Sequence, residues 1–547
     1  MNPNNNVYEN EYDTIEKYRN RIKNGSLEIK NCQKLGSIAF ISQLEIQILT
    51  IINCKNVKPV LINENIKQLN IIDCGITNID SLQLENLEIL NVSKNQLSTI
   101  KYINRFKYLK ELNLSDNKFK DVHFLKSMLQ ITKLELQHNL VTDISVLATL
   151  VNIKQLDIQL EKVVNIQILQ YLRQLTYLNI SKQDLQDKDI FKQLLNLQEL
   201  NISFCIGFKR NLIENQSNLI KKLNVTCLQI ENFDFLNEFT NLNDLNLSGN
   251  VKLNLSIIQQ MNQLTKLTLQ YNDLTQISEV SQLFNLSYLD LTGNVGIDIQ
   301  PLSNMVQLNY LIISDCEIKN LDALRNLVNL IELDISSNPN INISELKNQK
   351  QLVNLVLNSN YLQNIEVLRF LVNLEELDLD YNSQIDITPL QYLTSLVHLQ
   401  LIGCSLTDIS ALAPLNNLQY LDISRNSIVY ADQVCKLLQL TEFSIYCNKV
   451  TDLSAIQQHP YFDQFSTIQI LEPTLIELQR ANLMKVIYNS TTNLRQTRQS
   501  HFIIQQKQKL TKNKTNQLIQ LQNELIFQVS NKIVKLFQHM NTFETEQ

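Results

Sequence analysis

The chain has no tryptophan, and its 547 residues include only eight glycines and eight prolines. Enzyme pockets and phosphate-binding loops depend on glycine-rich turns, whereas a regular repeat needs few special backbone angles. No run of 18 consecutive apolar residues occurs, so we expect no membrane-spanning helix. The opening residues MNPNNNVYEN lack the charged and apolar regions of a secretory signal, which predicts an intracellular, cytoplasmic protein and leaves a nuclear location open.

Sequence signatures of catalysis are also missing. The chain has no H-E-x-x-H pair, P-loop, dinucleotide fingerprint or G-x-S-x-G elbow. We therefore predict no catalytic residues, no cofactor, no metal and no small-molecule substrate. We expect the six scattered histidines to have no close carboxylate partners and to lie on the surface or in the caps: His123, His138, His398, His459, His501 and His539.

One phrase is repeated along most of the chain. It reads apolar-x-x-apolar-x-apolar-x-x-Asn/Cys, as in LEILNVSKNQL from Leu87 and LQYLDISRNSI from Leu418. From Asn250 to Asn448 it recurs in nine successive steps of 22 residues, which chance does not produce. We name the last position of the phrase the ladder position, and 20 copies of the phrase place these residues there: Cys32, Cys54, Cys74, Asn95, Asn117, Asn139, Glu161, Gln183, Cys205, Leu228, Asn250, Asn272, Asn294, Cys316, Asn338, Asn360, Asn382, Cys404, Asn426 and Asn448.

The residues of the phrase follow from strand geometry. Alternate side chains of a strand point to opposite sides, so the apolar residues of L-x-L enter the core and the x residues face solvent. One copy cannot cover its apolar side alone, so neighbouring copies stack as a parallel sheet. Where the chain leaves the strand, a ladder asparagine can bond backbone N–H and C=O groups that lack sheet partners. Cysteine is a smaller substitute there, which accounts for six of the nine cysteines without zinc or disulfides.

A second phrase follows the ladder position, as in the Thr-Asp-Ile-Ser sequences after Val141 and Leu406, and indicates a short helical or 3-10 return. Both phrases at a 22-residue spacing resemble the leucine-rich-repeat subclass shared by bacterial internalins and the regulatory subunit of type 1 protein phosphatase. The resemblance covers roughly residues 27–453. It implies an α/β solenoid, a right-handed horseshoe or arc with a parallel concave sheet and a short helical or 3-10 convex side.

The second half of the array has a longer period. Ladder residues there are followed alternately by x-x-apolar-x-apolar and by x-apolar-x-x-apolar. This alternation predicts a duplicated unit of 44 residues. The first form follows Asn250, Asn294, Asn338 and Asn382, and the second follows Asn272, Cys316, Asn360 and Cys404.

The two ends depart from the repeat. Apolar residues at steps of three and four between Tyr8 and Ile22 predict an amphipathic helix that caps the first repeat. We therefore expect a helical N-terminal cap at residues 1–24, the repeat array at 25–472 and a helical C-terminal tail at 473–547. From Thr474 onward the tail has ten Lys/Arg and four Asp/Glu, which leaves an acidic array before it. A heptad pattern from Ile519 to Met540 indicates packing on a neighbouring helix or, alternatively, self-association or a partner helix.

Function should lie on the outward strand positions, because the core uses the apolar ones. A row of aspartates four residues before the ladder position, together with tyrosines beside it, has the chemistry of a protein-binding surface. Asp or Asn at this position is also part of the consensus of the repeat, so a purely structural role for the aspartates is the alternative. The candidate partner-binding residues are Tyr288, Asp290, Tyr310, Asp334, Asp378, Tyr381, Tyr420 and Asp422.

The sequence therefore predicts a non-enzymatic scaffold or adaptor that binds a protein partner, of basic character because the array is acidic, on a concave sheet. A regulatory subunit of a Ser/Thr protein phosphatase is the alternative that the resemblance suggests, although this chain lacks the tryptophan expected on such a surface. Binding of nucleic acid or an anionic surface through the basic tail is a third hypothesis, and we disfavour it because aromatic residues are not interleaved with the lysines.

Overall fold

The computed structural model of the protein describes residues 18–460, apart from residues 33–34, 187–188, 229, 231, 252, 451–453 and 455. The predicted tail with its heptad pattern lies outside the described residues, as does the predicted cap helix before residue 18. In the described part of the cap, residues 18–19 are helical and the chain then turns. Tyr18 is buried there, with its ring stacked 5.1 Å from that of Phe40.

Across the part of the chain that the structure describes, twenty short strands form a single parallel sheet, one strand from each repeat. Each strand pairs with the strand of the next repeat, and equivalent residues lie opposite each other, as for Leu267, Leu289 and Leu311. This confirms the predicted parallel sheet of stacked repeats. The strands are Ser26–Lys30, Ile48–Ile52, Gln68–Ile72, Ile89–Asn91, Glu111–Asn113, Lys133–Glu135, Gln155–Asp157, Tyr177–Asn179, Glu199–Asn201, Lys222–Asn224, Asp244–Asn246, Lys266–Thr268, Tyr288–Asp290, Tyr310–Ile312, Glu332–Asp334, Asn354–Val356, Glu376–Asp378, His398–Gln400, Tyr420–Asp422 and Glu442–Ser444.

The core is a continuous apolar layer behind this sheet. Leu289 at the centre of its strand and Leu291 two residues later are both fully buried, and equivalent residues of the other repeats extend the layer. Enclosing each large aliphatic side chain contributes about 1.5–3 kcal/mol. Because a repeat covers its own apolar side only through its neighbours, the sheet is the product of stacking.

Short 3-10 segments return the chain behind the core, as the second phrase predicts. Half of the described segments begin two residues after an Asp or Asn whose side chain accepts a backbone N–H, as Asp408 does from Ser410 at 2.8 Å. The returns are Ala39–Gln43, Ile103–Arg105, His123–Ser127, Ser145–Thr149, Ile166–Tyr171, Arg210–Leu212, Glu214–Gln216, Asp234–Glu238, Leu255–Ile258, Ser278–Gln282, Gln300–Asn304, Asp322–Leu324, Ser344–Asn348, Glu366–Phe370, Thr388–Tyr392, Ser410–Leu412, Asp432–Lys436 and Ile456–Gln458.

The early repeats have a different return. Leu61–Ile62 and Leu82–Gln83 form a two-stranded parallel sheet outside the main one. These repeats are shorter than 22 residues, since the steps from Cys54 to Cys74 and on to Asn95 are 20 and 21 residues. An extended segment spans the return with fewer residues than a helical turn does.

All nine cysteines lie in the described part of the chain, and none forms a disulfide. Burial raises the pKa of Cys205 and Cys404 to about 12, so these thiols stay protonated at neutral pH. In the part of the chain that the structure describes, no helix is long and apolar enough to cross a membrane.

Candidate functional site

The solvent-facing side of the 20-stranded sheet, which we name the concave face, is ordered in columns. Strand Tyr288–Asp290 shows the first two columns: Tyr288 belongs to the first and Asp290 to the second, with the buried Leu289 between them. The third and fourth columns follow at Thr292 and Gly293, immediately before ladder residue Asn294. Because neighbouring strands are in register, each column presents equivalent residues in a line across the repeats.

Tyrosine rings meet in the first column. The rings of Tyr288 and Tyr310 lie 6.2 Å apart on neighbouring strands, and the Nζ of Lys266 lies 4.7 Å from the centre of the Tyr288 ring. Further along the same column, the His398 and Tyr420 rings lie 5.7 Å apart. The structure thus places the predicted tyrosines of this column next to aromatic neighbours.

Each predicted aspartate makes the same type of hydrogen bond at the end of its strand. Each accepts the backbone N–H of the residue two positions later, for instance Ser336 to Asp334 at 2.9 Å and Ser424 to Asp422 at 2.8 Å. Asparagines take the same role in earlier repeats, as Asn113 does for Ser115 at 2.9 Å. One oxygen of each aspartate therefore has a structural task that an amide performs equally well, and the second oxygen is left for other interactions.

Asp290 differs from the expectation that it faces solvent, because its side chain is only 3% exposed. Its Oδ1 accepts the N–H and the hydroxyl of Thr292, and its Oδ2 accepts the Gln270 amide at 2.6 Å. The long side chain of Gln270, from the preceding repeat, covers the Asp290 carboxylate. Asp290 therefore belongs to a buried hydrogen-bond network and is a poor contact for a partner.

In the repeats that follow Asp290, carboxylates lie close together on every second strand. We name Glu332, Asp334, Glu376, Asp378, Asp380 and Asp422 the acidic cluster. Burial, followed by the charges of Asp378 and Asp422, raises the pKa of Asp380 to about 7. Burial and the neighbouring Asp334 also raise the pKa of Asp378 and of Glu332. Burial is the largest cause of these raised pKa values, and the neighbouring carboxylates add to it.

The fourth column has an unusual backbone. Its residues have positive φ in most repeats, including Tyr271 at 51° and Tyr381 at 56°. The predicted Tyr381 lies against Gly403 of the next repeat, where an added Cβ would stand 2.9 Å from the ring. Tyr271 lies against Gly293 in the same way, and an added Cβ at Gly293 would clash with its ring. The sequence reasoning missed these glycines, although Gly, Asn and Asp in this column are a readable signal for positive φ.

The ladder asparagines bridge neighbouring repeats of the solenoid. Asn338 is fully buried, and its Nδ2 donates to the carbonyls of Ile313, Ile335 and Ser336 at 2.8–3.1 Å. Its Oδ1 accepts the N–H groups of Cys316 and Ile318. Buried ladder cysteines donate to the equivalent carbonyls, as Cys404 does to Leu379 at 3.1 Å. These residues hold the strands in register and so position every column of the concave face.

A second asparagine ladder lies before the strands and was missed by the sequence reasoning. Asn329 donates to the Val306 carbonyl and Asn373 to the Lys350 carbonyl, 23 residues back in each case. Its period is 44 or 45 residues, which extends the double repeat towards the N-terminus. The signal was visible as Asn before the first apolar residue of the phrase in these members: Asn152, Asn196, Asn241, Asn285, Asn329, Asn373 and Asn417.

The strands from Glu111–Asn113 to Lys266–Thr268 carry mixed charges, and we name their outward surface the mixed-charge region. Salt bridges join Lys133 to Glu135 and Lys222 to Glu199, both at 2.9 Å. Hydrogen bonds to these carboxylates raise the pKa of both lysines. Glu135 and Glu199 are therefore neutralised by lysines of the chain itself.

Histidines have closer carboxylate neighbours than we expected. The Nδ1 of His123 lies 2.6 Å from Asp121, and that of His138 lies 2.8 Å from Asp116, so the expectation of no close partners is wrong. Both pairs are exposed and neither lies in a pocket with a nucleophile. Within the described residues, no group of three or more His, Cys, Asp or Glu is arranged to hold a metal ion.

A parallel sheet with one strand per 22-residue repeat, 3-10 returns and a buried asparagine ladder define the chain as a leucine-rich-repeat solenoid. Among solved structures, it is similar to TLR13 in a TLR13–ssRNA13 complex, with 19% identity over 77% of this chain and 80% of that chain and a TM-score of 0.51. An internalin from Listeria monocytogenes shares 22% identity over 64% of this chain and 85% of that chain, with a TM-score of 0.35. Mouse RP105, in complex with MD-1, shares 20% identity over 82% and 90% of the two chains, with a TM-score of 0.48. No protein-family model and no curated protein matched the sequence.

Proposed function

We propose that the protein is a non-enzymatic scaffold that holds a partner protein on its concave face. The observation that carries this proposal is the surface itself, a long row of outward columns whose side chains the fold does not need for its core. Tyr310 shows the principle, since it is 38% exposed while Leu311 beside it is fully buried.

Leucine-rich-repeat neighbours support the proposal at the level of fold. An open sheet also offers little of what catalysis requires, because it neither excludes water nor encloses a reacting group. A sheet of this length instead offers many small contacts in fixed positions, which suits recognition of a protein surface.

The proposal is tested by affinity capture with the full chain as bait, followed by mass spectrometry and by a binding measurement with the purified partner. A triple variant on the concave face, Tyr177→Ala, Tyr310→Ala and Tyr420→Ala, removes three outward tyrosines. A matched variant removes three exposed tyrosines on or near the returns, Tyr171→Ala, Tyr392→Ala and Tyr430→Ala. We expect the concave variant to lose the partner at least tenfold and the return variant to retain it.

Loss of the partner only in the return variant would contradict the proposal, as would a partner that neither variant affects. Capture of a Ser/Thr protein phosphatase through the concave face would favour the regulatory-subunit hypothesis. Capture of another protein through the same face would favour a general adaptor.

A further inference from the structure

The strands from Tyr288–Asp290 to Glu442–Ser444 form the part of the concave face that we name the acidic region. Its four columns hold nine Asp/Glu and one Lys/Arg, Arg425. The equally long mixed-charge region holds six Asp/Glu and four lysines in the same columns. We propose that the acidic region binds an extended, arginine- or lysine-rich segment of the partner protein. This inference rests on the concave face being the docking surface.

The acidic cluster has less internal neutralisation than the mixed-charge region, with the Nδ1 of His398 at 3.9 Å from Glu376. Glu199 and Glu135 have lysines of the chain at 2.9 Å, whereas no described Lys or Arg lies in the columns between Tyr310 and Asp422. Mutual repulsion of the carboxylates is relieved by any cation that enters between them. A basic segment is therefore the partner chemistry that gains most from this surface.

The borders of the acidic region show how a cation fits there. At one border the Nζ of Lys266 lies over the Tyr288 ring at 4.7 Å. At the other border the guanidinium of Arg425 lies 5.5 Å from the centre of the Tyr446 ring, and its Nε donates to the Tyr446 hydroxyl at 2.9 Å. The chain thus places its own cations on tyrosines at both ends of the region.

Tyr310 and Tyr420 provide the same aromatic surface between these borders, next to carboxylates instead of lysines. Tyr310 pairs in register with Glu332, and Tyr420 with Glu442. A guanidinium over either ring has a carboxylate on the adjoining strand. The juxtaposition of ring and acid is the arrangement that a partner cation requires.

The spacing of the acidic strands predicts the spacing of the basic residues. The acidic cluster lies on alternate strands, Glu332–Asp334, Glu376–Asp378 and Tyr420–Asp422. Alternate strands of a sheet are about 9.6 Å apart. A polyproline II segment advances about 9.3 Å in each turn of three residues and returns its side chains to the same side. We therefore expect a basic residue at every third position of the bound segment.

The test measures binding of a fluorescent ten-residue peptide with arginine at the first, fourth, seventh and tenth positions and Pro-Ser between them. The acid-neutral variant of the full chain carries Glu332→Gln, Asp334→Asn, Glu376→Gln and Asp422→Asn. We expect the fold to tolerate these changes, because Asn113 and its equivalents already cap strand ends as amides and the two Glu→Gln changes keep the size of an outward side chain. A matched control removes four acids from the mixed-charge region through Glu111→Gln, Glu135→Gln, Glu199→Gln and Asp244→Asn.

We expect the acid-neutral variant to bind the peptide at least tenfold more weakly than wild type, and the matched control to change affinity less than twofold. Equal weakening by both variants would mean general charge attraction and would overturn the proposal, as would absence of peptide binding to the wild-type chain. An isomeric peptide with its four arginines consecutive should bind at least threefold more weakly. Equal affinity for that isomer would overturn the inferred spacing.

The two proposals fail separately. If the captured partner depends on the concave tyrosines but not on the acidic cluster, the scaffold function stands and the basic segment is wrong. If no partner depends on the concave face, the scaffold function is wrong whatever the peptide does.

Discussion

The mixed-charge and acidic regions of the concave face have the same backbone and different surfaces. Tyr177 and Tyr310 occupy the same column, each as the first residue of a three-residue strand, and each strand is followed by a buried ladder side chain, Gln183 or Cys316. Tyr177 lies among Glu199, Glu135 and Lys133, whereas Tyr310 adjoins Tyr288 and Glu332. The comparison teaches that buried residues set the strand positions, while the residues of the outward columns vary independently. A single repeat design can therefore carry regions that suit different partners.

The largest expected effect tests whether the backbone of the two regions is equivalent. Asn338→Ala in the acidic region and Asn117→Ala in the mixed-charge region each leave several buried backbone groups without partners. We expect each substitution to lower the free energy of unfolding by roughly 3 kcal/mol, measured by chemical denaturation. Asn373→Ala, in the exposed second ladder, serves as the control and should cost about 1 kcal/mol. Losses that differ widely between Asn338 and Asn117 would break the equivalence.

The next effect concerns the fourth column, where Gly293 supports the ring of Tyr271. Gly293→Ala adds a methyl group at positive φ and brings it into the ring, so we expect a loss of roughly 2–3 kcal/mol in the free energy of unfolding. Gly296→Ala is the matched control, because it has a similar φ and open space around the added Cβ. It should cost about 1 kcal/mol. Equal losses at the two glycines would show that the tyrosine does not rest on Gly293.

A smaller effect is the pH dependence of the acidic region. The pKa of Asp380 is raised from 3.8 to about 7, so between these values the native state keeps a proton that the unfolded chain has released. The stability contribution of this group therefore falls as pH rises from about 4 to 7 and stays low above that. Asp380→Asn keeps an acceptor for the Ile402 N–H and removes the buried charge. We expect the variant to exceed wild type by about 2 kcal/mol at pH 8, less than the full shift implies because water screens the site, and to match it near pH 4. Thermal or urea unfolding of both proteins between pH 4 and pH 8 measures this difference in stability. An equal difference at both ends of the pH range would contradict the expectation.

Much of the fold could be predicted from the sequence, because the buried residues recur at the period of the repeat. Leu289 and Asn294 recur at fixed spacing, and their burial follows from strand alternation. The 3-10 returns were equally readable from Asp-Ile-Ser. The second ladder was readable too, from the Asn of the Phe-Asn-Leu and Val-Asn-Leu sequences, but it requires attention to positions outside the strand.

The candidate site was less predictable, because its properties depend on contacts between repeats. Asp290 and Asp422 each end a Tyr-Leu-Asp strand, yet Gln270 covers Asp290, whereas the equivalent residue before Asp422 is Ile402, which has no side-chain donor. The raised pKa of Asp380 likewise arises first from burial and then from the charges of Asp378 and Asp422, the latter 42 positions away along the chain. Alternation predicts which side of the sheet a residue faces, but exposure on that side is decided by the lengths of neighbouring side chains.

The most direct test of the account places a photo-crosslinking benzoylphenylalanine at Tyr310 in one chain and at Tyr177 in another. The two positions share a column and differ only in the region around them. With the arginine peptide described above, we predict strong crosslinking from position 310 and little from position 177. Equal crosslinking from the two positions, or stronger crosslinking from position 177, would contradict the claim that the acidic region is a separate binding surface on a shared backbone.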